Sequence, residues 1–218
     1  MKKIISLLLV LISFSLLTGC KIKDNDLGID FSINGNEASI DYESENPIVA
    51  MKIENYGAIL IELYPNIAPN TVNNFISLTK SGFYDNNTFH RLVKGFVLQG
   101  GDPDGTGTGG PGYHIQGEFT SNNFKNDLKH TTGIVSMARA TTPNSAGSQF
   151  FIMLGTATNL DGNYAAFGKV VKGMEIIEKI EQKEEVANSS TGQLKKNLVL
   201  KKAIVDTKGT IYKEVEKI

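Results

Sequence analysis

The chain has 218 residues, a length that suits one domain with appended segments, and its composition is that of an ordinary globular protein. A formal net charge of −1 excludes the strongly basic balance that would indicate nucleic-acid binding, and no long acidic tract is present. The only cysteine, Cys20, excludes an internal disulfide. The 22 glycines indicate many turns, and therefore many short strands.

Residues 1–19 have the pattern of an export signal. A cationic start, MKK, precedes the apolar run IISLLLVLISFSLL, which is shorter than the roughly 20 residues that a membrane-spanning helix needs. The run leads into Leu17–Cys20, LTGC, which resembles the lipobox of bacterial lipoproteins. That resemblance implies cleavage of the signal and a thioether-linked diacylglycerol on Cys20, with acyl chains such as palmitate. A plain secretory signal and an uncleaved anchor are the alternatives.

Lipidation would place the protein at the extracytoplasmic face of the cell membrane. Two or more acyl chains hold a protein firmly on a bilayer, whereas one chain does not. Lys21 after the cysteine is compatible both with a Gram-positive membrane surface and with an outer-membrane lipoprotein. Cleavage removes Lys2 and Lys3, so it lowers the formal charge of the chain from −1 to −3.

Residues 20–46 are predicted to be a lipidated cysteine followed by a flexible, polar tether. The stretch is acidic and weakly patterned, and about 25 flexible residues would have a root-mean-square reach of roughly 25–30 Å. As an alternative, FSINGNEASIDY could form a small hairpin around Asn34–Gly35.

Residues 47–218 have the pattern of a folded domain. Its first stretch, IVAMKIENYGAILIELY, alternates apolar and polar residues around a Tyr56–Gly57 turn, which predicts a β-hairpin. Pro69 begins a predicted helix, because a missing N–H costs little in the first turn, and Gly82 ends it. Apolar residues between these two positions recur at helical spacing.

The second half of the domain predicts short strands and one more helix. Strands and glycine turns follow one another from Thr88 to Val171, and an amphipathic helix is predicted from Met174 to Glu181. LVLKKAIVD then predicts a strand, and the tail GTIYKEVEKI is either a last strand or frayed. Many short strands with two isolated helices predict a closed antiparallel barrel that the helices cap.

Three patterns that could indicate other chemistries are weak. The stretch 105–110, GTGTGG, contains G-x-G-x-x-G, but a Pro-Gly pair follows and no helix begins, so a wide glycine loop is the better interpretation. His90, His114 and His130 are spread along the chain without a partner cysteine and do not predict a metal site. Ser148 lacks a G-x-S-x-G turn, so nucleophilic hydrolysis is not indicated.

Four motifs occur in order along the domain: FHRLVKGFVLQGGD (89–102), GIVSMARA (133–140), GSQFFI (147–152) and LDGNYAAFGKV (160–170). Together they resemble the cyclophilin family of peptidyl-prolyl cis-trans isomerases, and the similarity runs from about Ile48 to Lys183. The resemblance implies a mostly β fold, an eight-stranded antiparallel barrel with a helix at each end. It also implies isomerisation of X-Pro bonds without a covalent intermediate, a metal or a cofactor.

The resemblance further implies the residues of the site. Arg91 would provide a fixed charge at the prolyl amide, since arginine stays ionised and presents a rigid fork of donors. Gln99 would orient Arg91 and bind the substrate backbone, and Phe96 would lie against the proline ring. The remaining implied positions bind substrate: Val97, Phe151, Leu160 and Tyr164 line the apolar pocket, and Ala138, Arg139, Ala140 and Gln149 line the groove for the preceding residues.

Two patterns within the motifs leave room for a different interpretation. Taken without the resemblance, Phe96 and Phe151 fit core packing better than a binding site. Strand alternation predicts two faces, with Phe89, Arg91 and Val93 on one and His90 and Leu92 on the other.

Several positions depart from the residues that are frequent in the family. Asn159 stands where many members carry Trp, which puts tight cyclosporin binding in doubt. Tyr164 replaces a frequent His and Val97 a frequent Met. Arg139 replaces a frequent Asn at the edge of the groove, where only its backbone need contact substrate. None of these changes removes Arg91, so activity is expected to survive.

Two functions fit this set of residues. The first is a monomeric, membrane-tethered prolyl isomerase that acts on exported, unfolded, proline-containing polypeptides and has no nucleic-acid partner. The second is a non-catalytic module that holds proline-containing segments of a partner. The first requires Arg91 for its activity, whereas binding by the second would survive the loss of Arg91.

Overall fold

The computed structural model describes residue 27 and residues 29–218. The predicted signal peptide, residues 1–19, and the predicted lipidation at Cys20 lie outside these residues. Within the described part of the chain, no helix is both long enough and apolar enough to cross a bilayer.

The described residues form one closed, antiparallel β-barrel with two helices, as the sequence predicts. The strands are β1 (Ile48–Ile53), β2 (Gly57–Leu63), β3 (Asn87–Val93), β4 (Val97–Asp102), β5 (Ile134–Met137), β6 (Phe150–Met153), β7 (Ala166–Lys172), β8 (Val186–Asn188) and β9 (Gln193–Asp206), and the helices are α1 (Pro69–Lys80) and α2 (Met174–Lys183). Eight strands pair in the order β1-β2-β7-β5-β6-β4-β3-β9, and pairing of β9 with β1 closes the barrel. The short β8 pairs with β9 outside this ring.

The barrel interior and the inner faces of both helices share one apolar core. Its centre on the side of α1 is an aromatic group around Phe75, whose ring lies 5.0 Å from the rings of Tyr84 and Phe167 and 5.3 Å from that of Phe150. Such tilted and edge-on aromatic pairs add stability beyond the area that they bury. The helical spacing in the sequence therefore marks the side of α1 that closes the barrel.

Most predicted elements occur where the sequence places them, with shifts at their ends. The first hairpin and α1 have the predicted bounds within two residues. The last strand begins at Gln193, earlier than predicted, and α2 continues to Lys183. The C-terminal tail forms neither a strand nor a free end, because the backbone of Ile218 exchanges two hydrogen bonds with that of His114.

The prediction of a flexible tether is wrong for the N-terminal segment, residues 29–46, which packs along the outside of the barrel. Both faces of β1 are apolar in sequence, and a strand that is buried on both faces needs a cover on its outer side. The segment provides this cover with Ile40, which is 3 % exposed. The buried members of this outer cluster are Ile40, Ile48, Ala50, Leu60 and Ile204.

Hydrogen bonds join the N-terminal segment to β9. The backbone N–H of Ala38 donates to the carbonyl of Val205 (3.0 Å), and the N–H of Val205 donates to the carbonyl of Asn36 (2.8 Å). The pairing is a parallel bridge to another strand, so the alternative prediction of a hairpin around Asn34–Gly35 is also wrong.

A bulge in β3 changes the predicted faces of that strand. His90 has no partner in either neighbouring strand, and the register shifts between Phe89 and Arg91. Because a bulge breaks the two-residue alternation, Phe89 and Leu92 both belong to the barrel core. Arg91 is therefore on the outer side with Val93, and its predicted grouping with Phe89 is wrong.

Candidate active site

A separate apolar cluster lies on the outside of the barrel, over β4, β6, β5 and β7. Along β6, Phe150 and Ile152 belong to the interior core, whereas Phe151 and Met153 belong to this outer cluster. Its buried members are Val97, Ile134, Phe151, Met153, Ala157, Leu160 and Ala166, and Val93, Phe96, Leu128, Ala138 and Tyr164 pack against it. Phe96 and Phe151 therefore do pack in an apolar cluster, as the alternative interpretation has it, but this cluster is separate from the barrel interior.

Phe151 is the central ring of this cluster. The ring of Tyr164 meets it edge-on at 5.9 Å, and the ring of His130 stacks on it at 6.1 Å. Leu160 comes from the short 3-10 turn Thr158–Leu160. The cluster thus brings together, on one outer wall, every residue that the sequence predicts for the apolar pocket.

His130 is a part of this wall that the sequence analysis did not include in the site. One ring nitrogen, Nδ1, lies 3.1 Å from Oδ1 of Asp161, and the other, Nε2, lies 3.1 Å from Oγ of Ser136. Burial lowers the pKa of His130, although the carboxylate of Asp161 acts in the opposite direction. The neutral ring is thus held as a fixed backing for Phe151. In the sequence, the only signal was an isolated histidine before GIVSMARA.

A row of polar side chains runs beside the apolar wall. The guanidinium of Arg91 donates from Nη1 to Oε1 of Gln99 (3.1 Å), and Nε2 of Gln99 donates to Oε1 of Gln149 (3.0 Å). Nε2 of Gln149 then donates to the carbonyl of Gly109 (2.9 Å). The row connects the catalytic and groove residues that the sequence predicts.

A second contact holds Arg91 from the other side. Its Nε donates to the carbonyl of Thr191 (2.7 Å), in the loop before β9. Burial lowers the pKa of Arg91, and Tyr164 acts in the opposite direction. An arginine nevertheless stays protonated at neutral pH. The site therefore presents a fixed positive charge whose direction is set by two acceptors.

The side chain of Arg139 organises the loop between the wall and the groove. Its guanidinium lies 4.6 Å from the ring centre of Tyr164 and donates from Nε to the carbonyl of Asn163 (3.1 Å). Its Nη1 donates to the carbonyls of Ala140 and Thr141. The expectation that only the backbone of Arg139 matters misses this contact, which fixes the ring of Tyr164.

The glycine loop after β4 is folded around one carboxylate. Asp102 accepts hydrogen bonds from the backbone N–H groups of Asp104 (2.8 Å) and Thr106 (3.0 Å). Burial opposes its charge, but the backbone donors outweigh burial and hold the pKa of Asp102 below its usual value. A Cβ at Gly109 would lie 2.0 Å from Oδ1 of Asp102, so the loop needs glycine there. The prediction of a wide glycine loop is confirmed.

This loop forms one side of a groove of about 770 Å³ that begins at Gln99 and Gln149. The segment of Ala138, Arg139 and Ala140 also lines this groove, and so does Ile218 at the end of the tail. The tail is held there by Asn70, whose side-chain amide exchanges two hydrogen bonds with the backbone of Glu216 (2.9 Å each). The groove therefore continues the apolar wall past the polar row.

The matching family model describes cyclophilin-type peptidyl-prolyl cis-trans isomerases and covers residues 48–205. The chain belongs to the cyclophilin-type peptidyl-prolyl cis-trans isomerases. It is an enzyme of this type, with the fold and the polar row described above. The match to the family begins at residue 48, the first residue of β1, so it says nothing about the residues before that strand.

Two curated relatives and one solved structure show the extent of this similarity. The chain is 47% identical over 125 residues to peptidyl-prolyl cis-trans isomerase CYP18-2 of Arabidopsis thaliana, covering 57% of this chain and 74% of that protein. It is 48% identical over 125 residues to peptidyl-prolyl cis-trans isomerase cypE of Dictyostelium discoideum, covering 57% and 78%. A cyclophilin-type isomerase from Cryptosporidium parvum, solved in the presence of the dipeptide Ala-Pro, matches with a TM-score of 0.64 and 35% identity, covering 72% of this chain and 98% of that one.

Proposed function

We propose that this cyclophilin is a lipid-anchored, monomeric isomerase that acts on X-Pro bonds of exported polypeptides at the membrane surface. The fold and the family account for isomerisation, whereas the signal pattern and Leu17–Cys20 support export and anchoring. The observation that supports the catalytic part is the arrangement of Arg91, Gln99 and Gln149 beside the ring of Phe151.

The reaction needs a twisted amide and no broken bond. The C–N bond has partial double-bond character, which gives a barrier of roughly 18–20 kcal/mol and isomerisation times of tens to hundreds of seconds. A catalyst accelerates rotation when it binds the twisted amide more tightly than the planar one. The site must therefore grip the proline ring and interact with the amide as its resonance is lost.

The apolar wall and the arginine meet these two requirements. The proline ring would lie on Phe151, between Phe96, Leu160 and Tyr164, and lose contact with water. Arg91 would then donate to the prolyl carbonyl and stabilise the charge distribution of the twisted amide. Because its direction is already set by Gln99 and Thr191, little reorganisation is needed in the transition state.

The groove would hold the residues that precede the proline. Gln149 and the backbone of Ala138, Arg139 and Ala140 lie at its edge and can pair with an extended chain. Unfolded polypeptides expose such extended segments, whereas folded ones do not. The open groove thus favours unfolded, proline-containing chains as substrates.

An isomerisation assay on a short X-Pro peptide tests the role of Arg91. For Arg91→Ala we expect kcat/KM to fall on the order of 100-fold, which corresponds to about 3 kcal/mol of lost transition-state stabilisation. Lys94 is exposed in the turn between β3 and β4, so Lys94→Ala is the matched loss of one charge and should leave the rate unchanged. Equal rates for Arg91→Ala and the unchanged protein would contradict the proposed mechanism.

The alternative function, a non-catalytic binding module, makes a different prediction for the same variant. Its peptide binding and its effect on partner proteins would both survive Arg91→Ala. Peptide affinity measured by calorimetry, beside the isomerisation rate, separates the two functions. The hydrogen bonds that fix Arg91 support catalysis, because a groove that only binds has less need of an oriented charge.

Mass spectrometry of the N-terminus of the protein isolated from membranes tests the anchor. We expect a diacylglycerol-modified Cys20 as the first residue, and loss of membrane retention for Cys20→Ser. An unmodified N-terminus that still carries the signal sequence would contradict the anchor and leave the isomerase activity standing.

A further inference from the structure

The N-terminal segment (residues 29–46) and the active site lie on opposite walls of the barrel. The outer cluster under the segment involves β9, β1 and β2, whereas the ring of Phe151 comes from β6. In the closed order of the eight barrel strands, β6 lies four strands from β1 in either direction. The segment and the centre of the apolar pocket are therefore separated by half of the ring.

Several independent contacts hold the segment on its wall. Ile40 is buried, and its backbone N–H donates to Oδ2 of Asp206 (2.8 Å). The side chain of Asn36 donates to the carbonyl of Ala203 (2.6 Å). Lys208 donates to the carbonyls of Ile40 and Tyr42 (2.9 and 3.0 Å). The chain is thus fixed to the barrel long before it reaches β1.

These contacts shorten the connection between the lipid and the domain. The segment already lies against the cluster of β9, β1 and β2 at Ile29 and Phe31. Ile29 is nine positions after Cys20, and nine residues span at most about 30 Å whatever their conformation. Without the packed segment, the connection would run from Cys20 to Pro47, and such a length could reach roughly 90 Å. The segment removes about two thirds of the possible reach.

The remaining reach is too short for the site to meet the bilayer. A compact domain of this size has a diameter of roughly 40 Å. To press the active-site wall against the membrane, the connection would have to pass round the domain over a path of roughly 50 Å. That path is longer than the maximum of about 30 Å.

We propose that the wall of β9, β1 and β2, with the N-terminal segment on it, faces the lipid bilayer, and that the active site faces away from it. This inference rests on the proposed lipidation of Cys20. The segment then acts as an orienting element, which presents the groove to polypeptides on the outer side of the membrane. The covered wall thus lies next to a lipid surface, because the short connection from Cys20 keeps the domain close to the bilayer.

Fluorescence quenching on the full, lipidated chain in phosphatidylcholine and phosphatidylglycerol vesicles tests the orientation. Because Cys20 is the only cysteine and is acylated, an introduced thiol is the only one to take a dye. The two positions are Ser39→Cys on the segment and Asn159→Cys beside the pocket, both of which are exposed. With a quencher attached to the lipid headgroups, we expect several-fold stronger quenching at position 39.

A longer connection is the matched control. A Gly-Ser insertion of about 30 residues after residue 26 leaves the barrel and the segment intact and adds roughly 100 Å of possible reach. The difference between the two dyes should then largely disappear. Equal quenching at the two positions in the protein of natural length would overturn the proposed orientation.

The anchor and the orientation fail in different ways. Absence of lipid on Cys20, with no retention on vesicles, contradicts the anchor and with it the orientation. Retention on vesicles together with equal quenching contradicts the orientation alone. The rate of isomerisation of a soluble peptide should be the same for Ser39→Cys with and without the insertion. Neither change lies on the wall that carries the active site.

Discussion

At the scale of single residues, the polar row of the site has only one consistent direction. An arginine can only donate, so Oε1 of Gln99 must face Arg91 and its Nε2 must face Gln149. The same reasoning turns Nε2 of Gln149 toward the carbonyl of Gly109. One fixed charge thus determines the orientation of two amides, and the glycine loop terminates the row.

The first prediction concerns Gln99, which acts through Arg91 rather than on the reacting bond. Gln99→Met keeps the length of the side chain and removes the amide acceptor, so Arg91 keeps only its contact with Thr191. We expect kcat to fall about tenfold, with a smaller change in KM, because a misdirected charge weakens mainly the transition state. A kinetic assay with a prolyl peptide measures both constants. A rise in KM with kcat unchanged would show that Gln99 only binds substrate.

The second prediction concerns pH. Burial lowers the pKa of both His90 and His130, and neither Asp102 beside His90 nor Asp161 beside His130 cancels that effect. In the unfolded chain these rings take up protons below about pH 6.5, whereas in the folded protein they do so only at lower pH. The unfolded state then binds more protons, so the free energy of unfolding should decrease as the pH falls below about 6.5. Above that value the two histidines should have no effect.

Urea unfolding at several pH values between 5 and 8 measures this dependence. The ring nitrogens of His90 have no hydrogen-bond partner within residues 29–218. In His90→Leu, the free energy of unfolding should therefore depend less steeply on pH. His114→Gln is the control, because His114 is exposed. The isomerisation rate should be flat between about pH 6 and 8, since Arg91 stays charged and no titrating base takes part. A sharp inflection in that range would contradict the mechanism.

At the scale of elements, helix α1 obtains its N-terminal cap from a distant residue. Ala68 at the cap position cannot accept a hydrogen bond with its side chain. The buried carboxylate of Glu118 accepts from the backbone N–H groups of Asn70 (3.0 Å) and Thr71 (2.8 Å) instead. A negative charge at a helix N-terminus is favourable for the free N–H groups and for the helix dipole.

The third prediction follows from this remote cap. Glu118→Ala leaves two N–H groups of α1 without an acceptor, the buried one of Thr71 and the partly buried one of Asn70, and we expect it to lower the free energy of unfolding by about 2 kcal/mol. Glu118→Gln retains one acceptor oxygen and loses the charge, so its effect should be smaller. Chemical denaturation measures both values. Equal stability of Glu118→Ala and the unchanged protein would show that the carboxylate does not cap α1.

Periodicity predicts those elements of this fold in which apolar residues keep a single strand or helix period from end to end. The first hairpin and both helices are of this kind, and the four motifs locate the pocket and the groove. The bulge at His90 could not be predicted, because both an even and a shifted alternation of FHRLV bury apolar residues. The place of His130 depends on packing against Phe151, a residue far along the chain, which no local pattern contains.

At the scale of the whole molecule, the barrel carries an apolar cluster on each of two opposite outer walls. One cluster surrounds the ring of Phe151, and the other is covered by the N-terminal segment. The polar composition of residues 29–46 favours a tether in the sequence, although Ile29, Phe31 and Ile33, and again Ala38, Ile40 and Tyr42, recur at every second position. Their partners are the outer positions of β1 and β2, so the cover becomes visible only when the barrel is closed.

The last prediction tests whether this cover is part of the cooperative fold. Ile40 is 3 % exposed and packs against Ile48, Ala50, Leu60 and Ile204. Ile40→Ala should lower the free energy of unfolding by about 2–4 kcal/mol, because it removes buried methyl groups and leaves a cavity. The exposed neighbour provides the control, and Ser39→Ala should change stability by less than about 0.5 kcal/mol.

Urea denaturation of the folded domain, followed by an isomerisation assay, separates the two possible behaviours of the segment. If the segment unfolds with the barrel, the midpoint for Ile40→Ala falls while the slope of the transition stays the same, since the surface exposed by unfolding is unchanged. If it detaches alone, the midpoint stays and only the local protection of Ala38 and Val205 from hydrogen exchange is lost. We expect the first result, because the segment is bonded to β9 and β9 closes the barrel against β1. In native conditions kcat/KM should be unchanged, since Ile40 and Phe151 lie on opposite walls.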